Sequence, residues 1–218
     1  MKYKNRNIQI TCDGGAATGK STGAKLIAKK YKLAFLSSGL LYRYASYLIL
    51  KNKPKRQINF LKKKFKNLNY KKLSKINLHS PKISEHSATI AKKLSVRNIL
   101  KKYQKNFVKN NKGCVLEGRD ASTKIIPDSD VKFFFICNLE IAAKRRYHDL
   151  KNYNSRIKLH EVKKALKQRN ILDKKRKHSP LKKHQNAVVV NSGKLGKLAM
   201  LAKMSKHVER VLKKKYGN

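Results

Sequence analysis

Residues 14–21 read Gly-Gly-Ala-Ala-Thr-Gly-Lys-Ser, the spacing G-x-x-x-x-G-K-[ST]. The apolar run Ile8-Gln9-Ile10-Thr11-Cys12 precedes it, and a helix-competent segment from Thr22 to Tyr31 follows. Strand, glycine-rich turn and helix form the context in which such a loop cradles phosphate. The glycines let the backbone curl so that successive N–H groups converge on one anion. The helix that follows adds the positive end of its dipole. Lys20 is placed to reach β and γ phosphates, and the Ser21 hydroxyl to ligate Mg²⁺. Gly14, Gly15, Ala16, Ala17, Thr18, Gly19, Lys20, Ser21 and Thr22 are therefore the candidate contacts for a nucleoside triphosphate.

Further along lie Ser38-Gly39-Leu40-Leu41-Tyr42-Arg43, Val96-Arg97, Gly118-Arg119-Asp120, Arg169, and Asp173-Lys174-Lys175-Arg176. The chain holds 56 Lys+Arg against 11 Asp+Glu, and lysine supplies most of the cations. Where any cation would serve, this chain uses lysine. An arginine that remains points to a need for the planar, bidentate fork, which suits phosphate and carboxylate. The few acids, Asp13, Asp120 and Asp173 among them, carry similar weight. Arg169, Asp173 and Arg176 are spaced i, i+4, i+7, so a helix over 159–178 puts all three on one face. That triplet taken alone reads equally well as a ligand-facing set or as an exposed salt bridge of little consequence.

These side chains need a frame. Short β-branched or aromatic runs at Ile8–Cys12, Ala34–Leu36, Cys114–Leu116, Val131–Ile136 and Ala187–Val190 read as buried parallel strands. Helical stretches alternate with them, at roughly 20–31, 39–52, 84–94, 96–110, 139–150, 159–178 and 195–214. The expected fold is α/β: a phosphate-loop NTPase of three layers, α/β/α, around a five-stranded parallel sheet. The site belongs at the carboxyl ends of the strands. Residues 53–82 carry Pro54, Pro81, many Lys and Asn, and weak periodicity; they read as a small inserted subdomain over the acceptor side. Residues 149–158 are polar, join two helices, and read as a lid that expels water.

Composition bounds the class. At 218 residues and 40% apolar content, one globular domain with a modest insertion is expected. Cys12, Cys114 and Cys137 all sit in runs read as strands, so three buried reduced thiols are expected. No histidine spacing suggests zinc, and no apolar run approaches a membrane span. The polar Met1–Asn7 segment runs straight into the first strand, without room for a signal peptide. A monomeric, cytoplasmic protein is expected. The net charge of +45 is spread in lysine runs along the chain. It predicts nonspecific polyanion binding that fades with salt, rather than a dedicated nucleic-acid surface.

In order and spacing the clusters resemble the bacterial cytidylate kinases, from Ile8 to about Ser192. The family's Ser-Gly-x-x-Tyr-Arg is Ser38 to Arg43; its Val-Arg with a later Gln is Arg97 and Gln104; its Gly-Arg-Asp is 118–120; its Arg-x-x-x-Asp-x-x-Arg is 169–176. The resemblance implies an enzyme that moves the γ-phosphoryl group of ATP, with Mg²⁺, onto CMP or dCMP. It implies that Arg43, Arg119 and Arg176 clamp the acceptor phosphate. Arg97 and Asp120 would read the cytosine, and Arg169 and Asp173 would hold the sugar. Ser38 and Tyr42 line the same site. Arg145 and Arg146, beside the expected lid, are candidates to reach the transferring group.

The chain departs from the family in places. Gly15 and Ala17 replace a usual Pro and Gly, Ser37 replaces an acid, and Ser122 replaces a Gly. Ala88 stands where a base-contacting Ser is usual, leaving Ser87 or Thr89 as substitutes. Two other readings stay open on the residues alone: a related kinase for another small acceptor, and a nucleic-acid-binding ATPase.

Overall fold

The computed structural model describes residues 7–151 and 156–217. The expected leader-free N-terminus falls almost wholly outside the described residues, and so does the middle of the expected lid, 152–155. Five strands form one sheet: β1 (Gln9–Gly14), β2 (Ala34–Ser37), β3 (Cys114–Gly118), β4 (Val131–Ile136) and β5 (Val188–Asn191). Their order is β2-β3-β1-β4-β5, and every pairing is parallel. β1 lies between β3 and β4 and is covered on both faces; Ile10, Thr11, Cys12 and Asp13 are all inaccessible to solvent, and the polar Thr11 and Asp13 are hydrogen-bonded there. The chain leaves β1 for β2 on one side and later reaches β4 on the other. That reversal opens a crevice at the strands' carboxyl ends.

Helices α1 (Lys20–Tyr31) and α8 (Lys197–Tyr216) cover one face of the sheet. Ala24, Ile27, Met204, Val208 and Leu212 pack there on Ile8, Ile10, Phe133 and Phe135. Helices α2 (Ser38–Asn52), α3 (Gln57–Lys66), α4 (Pro81–Ile90) and α5 (Leu94–Lys109) close the other. Their core joins Leu41, Leu61, Phe65, Ile90 and Leu100 to Leu36 and Leu116. A third, smaller cluster ties α6 (Leu139–Lys151) to α7 (Leu159–Lys175) and reaches Ala16 of the phosphate loop.

Four expectations need correction. Segment 53–82 is not weakly periodic throughout. Ile58, Leu61 and Phe65 form an i, i+3, i+7 stripe that buries α3, and the surrounding lysines masked it. A 3₁₀ turn (Tyr70–Lys75) follows. The next helix starts at Pro81, not 84, because Ser80 caps it and proline is favoured in a first turn. Cys137 lies one residue past β4 and is half-buried; only Cys12 and Cys114 are buried strand thiols. α7 ends at Lys175, so Arg176 leaves the helix in extended conformation and does not continue its face.

Candidate active site

The phosphate loop leaves β1 at Gly14 and enters α1 at Lys20. A Cβ at Gly14 would lie 2.5 Å from the Phe135 carbonyl oxygen, so only glycine fits beside β4. Gly19 has φ of 73°, the left-handed turn that aims the loop into the helix. Ala17 also has positive φ, 55°, where an L-residue carries strain of about 1–2 kcal/mol. Thr18 Oγ1 and Lys20 Nζ each donate to the Gly15 carbonyl at 3.0 Å, bracing the curl. Ser192, just past β5, donates from Oγ to the Thr18 carbonyl (2.7 Å) and accepts from Arg145 (3.0 Å). Ser21 and Thr22 occupy the first turn of α1, whose N–H groups have no helical partner.

Two cavities meet at this loop. One, of about 480 Å³, runs from residues 17–22 to Arg145, Ser192, Leu195 and Met200. The other, of about 340 Å³, shares Ala17, Lys20 and Ser21 and is walled by Arg43, Arg119, Arg146 and Arg169. Lys20 is buried between them, 3.5 Å from Glu117. Burial, with help from Arg119 and Arg169, lowers the Lys20 ammonium to about 7. Burial likewise lowers Arg43 and Arg169 to about 10, and each feels the neighbouring arginine cations. Both stay charged at neutral pH. Mutually repelling cations held around one hollow make a site for a polyanion.

The Lys20 shift has a measurable consequence. A phosphate-bound lysine must be protonated, yet the free site holds the proton loosely. The affinity for ATP is therefore fully developed below the lowered value and weakens as pH rises through it. We expect about a tenfold loss between pH 7 and 8.5, read by titration calorimetry, with proton uptake on binding. An affinity flat across that range would mean Lys20 is already protonated in the free protein.

Beyond the second cavity, buried ion pairs run in a chain. Arg97 donates to Asp120 at 2.5 Å and lies over the Tyr42 ring, 5.6 Å from its centroid. Arg176 Nη2 lies 3.7 Å from Asp120 and Nη1 donates to Asp173 at 3.3 Å. Asp173 also accepts from Arg119 Nε at 2.8 Å. Burial pushes the Asp173 carboxyl upward, but Arg119, Arg169 and Arg176 outweigh it and hold it below its ordinary value. Two donors in this set are buried without a hydrogen bond, Arg169 Nε and Arg176 Nη2. The exposed surface salt bridge is thereby ruled out for the Arg169, Asp173, Arg176 triplet. The acids are braced between arginines from three elements, and spare donors remain.

The sequence-chosen residues are thus gathered from distant places: the phosphate loop, α2, α5, the turn after β3, and α7. Arg43 touches His79 through a ring nitrogen and lines the second cavity with Arg119 and Arg169. Ser38 is buried and donates to Gln104 at 2.5 Å. Arg176 lies with the Asp120–Tyr42 group and caps its own loop through Nε to the Ser179 carbonyl (2.6 Å). Arg145 lines the first cavity and Arg146 the second.

Sequence reading missed several participants. Glu117, the last but one residue of β3, has Oε2 buried without a hydrogen-bond partner; its signal is an acid after an apolar run in a chain poor in acids. Asp13 stands out in the chain as a rare acid, but its partners lie far away in sequence. It accepts from Ala121 N (2.9 Å), Ser122 N (2.7 Å) and Ser122 Oγ (2.6 Å), and so sets the turn that carries Arg119 and Asp120. Burial pushes it up to about 6 against those bonds. Ser122, a departure from the family, completes this anchor. Ser37 caps α2 through Leu40 N, and its own N–H donates to Tyr70. Near Ala88, Ser87 is spent on the Ser84 carbonyl, and Thr89 is exposed.

A phosphate loop at the crevice of a parallel five-stranded sheet, with two cavities joined at its lysine, defines a phosphate-loop kinase of three-layer α/β/α architecture. Fold comparison agrees on the architecture: a shikimate kinase structure from Bacteroides thetaiotaomicron aligns over 93% of this chain and 98% of its own, with a TM-score of 0.53 at 11% identity. The sequence profile of the family described as Cytidylate kinase matches residues 10–210. The cytidylate kinase of Bartonella tribocorum is 35% identical over 94% of this chain and 95% of its own length. That of Fusobacterium nucleatum is 34% identical over 94% and 99%. The chain belongs to the cytidylate kinase family. Among the described residues, no helix is long and apolar enough to cross a membrane.

Proposed function

We propose that this protein transfers the γ-phosphoryl group of ATP to CMP or dCMP, giving ADP and CDP or dCDP. The observation that carries this reading is the pair of cavities sharing Lys20, one of them ringed by arginines. ATP lies along the loop from Gly14 to Thr22, with its base toward Leu195 and Met200. The acceptor phosphate enters among Arg43 and Arg119, with the spare Nη2 of Arg176 completing the clamp. Those forks screen repulsion between two polyanions and fix the line of attack. The acceptor phosphate is already an anion, so no general base is needed. Lys20 faces the charge that builds on the transferring group.

For the base, Asp120 accepts the exocyclic amine of cytosine and Arg97 donates to the ring carbonyl. Uracil would set its own carbonyl against Asp120, so the pocket rejects it. Arg169 and Asp173 hold the sugar, and Ser38 and Tyr42 wall the site. Segment 53–82 serves as the acceptor-binding insertion, since Tyr70 and His79 from it line the acceptor cavity. Residues 149–158 serve as the lid, with Asp149 at the junction of the two cavities.

A magnesium ion fits the residues present. Ser21 offers a hydroxyl and Glu117 a buried carboxylate oxygen without a partner. One carboxylate beside nucleotide phosphates suits an ion that keeps most of its waters. Held there, the ion would supply positive charge against the nucleotide phosphates. The lysines that dominate the charge sit on exposed helix faces such as 62–64 and carry only nonspecific polyanion affinity.

The test is ADP release with ATP and Mg²⁺ across CMP, dCMP, UMP, AMP and GMP. Turnover is expected with CMP and dCMP, and kcat/KM for UMP about a hundredfold lower or worse. Turnover confined to another acceptor would overturn the base assignment. A narrower check is Arg176→Lys. An ammonium cannot span the Ser179 carbonyl, Asp173 and Asp120 together. We expect kcat/KM for CMP to fall about 10- to 100-fold although the charge is kept. Near-native kinetics would remove Arg176 from the site.

A further inference from the structure

We infer that Asn170 is a positioning residue that fastens α7 to the leading edge of the phosphate loop, and that Gly15 is the space which admits it. This rests on the reading above, in which the loop holds ATP and α7 carries acceptor-binding groups. Asn170 Oδ1 accepts a hydrogen bond from Ala16 N at 3.1 Å. Only the oxygen of the side-chain amide can do so, since Ala16 offers an N–H. A Cβ at residue 15 would lie 3.0 Å from that same oxygen and 3.5 Å from Cγ. Gly15 does not have positive φ, so its backbone tolerates a side chain, and one added there would press on the Asn170 amide and on Thr18 Cγ2 at 3.4 Å, so that Asn170 has to give way.

The contact is backed by packing. Ala16 is buried in the α6–α7 cluster with Ala142, Leu150, Val162 and Leu166. Asn170 follows Arg169, whose side chain walls the acceptor cavity, and precedes Asp173 by one turn. One short helical stretch therefore grips the loop with one side chain and the acceptor's arginine network with two others. The hydrogen bond sets the distance between donor and acceptor sites. Asn170 touches no reacting atom in this role. Its contribution is geometric, and in-line transfer is sensitive to displacement on the scale of an ångström.

The experiment is a double-variant cycle. Wild type, Asn170→Ala, Gly15→Ala, the double variant and Asn170→Asp are compared for kcat with CMP, KM for CMP, and the dissociation constant for ATP alone. Asn170→Ala is expected to lower kcat about tenfold while ATP binding alone changes less than about threefold. Asn170→Asp keeps the accepting oxygen and should restore most of kcat. Gly15→Ala should lower kcat similarly by displacing Asn170, yet cost less than about twofold once Asn170 is alanine. Multiplicative losses in the double variant, or an Asn170→Ala enzyme within twofold of wild type, would overturn the proposal. If wild type phosphorylates neither CMP nor dCMP, the functional reading fails instead. The cycle then reads the latch through the melting temperature, where coupling between positions 15 and 170 supports it and independence refutes it.

Discussion

Lys20→Ala lowers kcat by about 10²–10³-fold, the scale expected when a preorganised charge aimed at the transition state is removed. The ammonium is held between the two cavities by the Gly15 carbonyl and by Glu117. Among the described residues no other lysine near the loop shares that burial; Lys25, also on the cavity wall, is exposed. The substitution also leaves Glu117 buried without its cation, a change that costs about 3–5 kcal/mol when the carboxylate stays charged. Chemistry and stability can be separated. Lys20→Met with Glu117→Gln removes both charges from the interior, so the melting temperature should return toward wild type while turnover stays low. Turnover of any such variant within about tenfold of wild type would show that Lys20 does not act on the transferring group.

Asp173→Ala should lower kcat/KM for CMP by about 10²–10³-fold. Asp173 accepts from Arg119 Nε and Arg176 Nη1, and both guanidinium groups are largely buried. Truncating one partner of such a pair costs about 2–5 kcal/mol, much of it from the charges left unpaired. Here two arginines lose their brace at once, so the acceptor side fails and the ATP side does not. The dissociation constant for ATP alone should stay within about threefold. A larger loss with CMP than with dCMP would assign Asp173 to the 2′-hydroxyl; equal losses would assign it to the arginine scaffold. An unchanged KM for both would remove it from the acceptor site.

Much of this arrangement was legible in the chain. The phosphate loop is local: eight consecutive residues build it, so its spacing survives in the sequence. The strands were legible because covered parallel strands are rich in apolar, β-branched and aromatic residues, as the cores of β3 and β4 are, Cys114–Leu116 and Phe133–Ile136. The arginines stood out because lysine fills the ordinary cationic positions. Helix α3 was hidden for the same reason, its buried stripe drowned among lysines.

What sequence alone settled is therefore what depends on neighbours in the chain: the strand–loop–helix unit, the α/β order, and the residue types available for phosphate chemistry. The tertiary fold decided which of those residues meet. Glu117 faces Lys20 because β3 pairs with β1 in a register that brings both strand ends to one crevice. Arg119 finds Asp173 across 54 positions of chain, and Ala16 finds Asn170 across 154. Arg176 does its bonding from beyond the end of α7, in a backbone conformation that helical spacing did not foresee. The physical reason is common to all of these. A buried charge or backbone amide must find its partner wherever packing places one, and packing is a property of the assembled sheet and helices rather than of any segment.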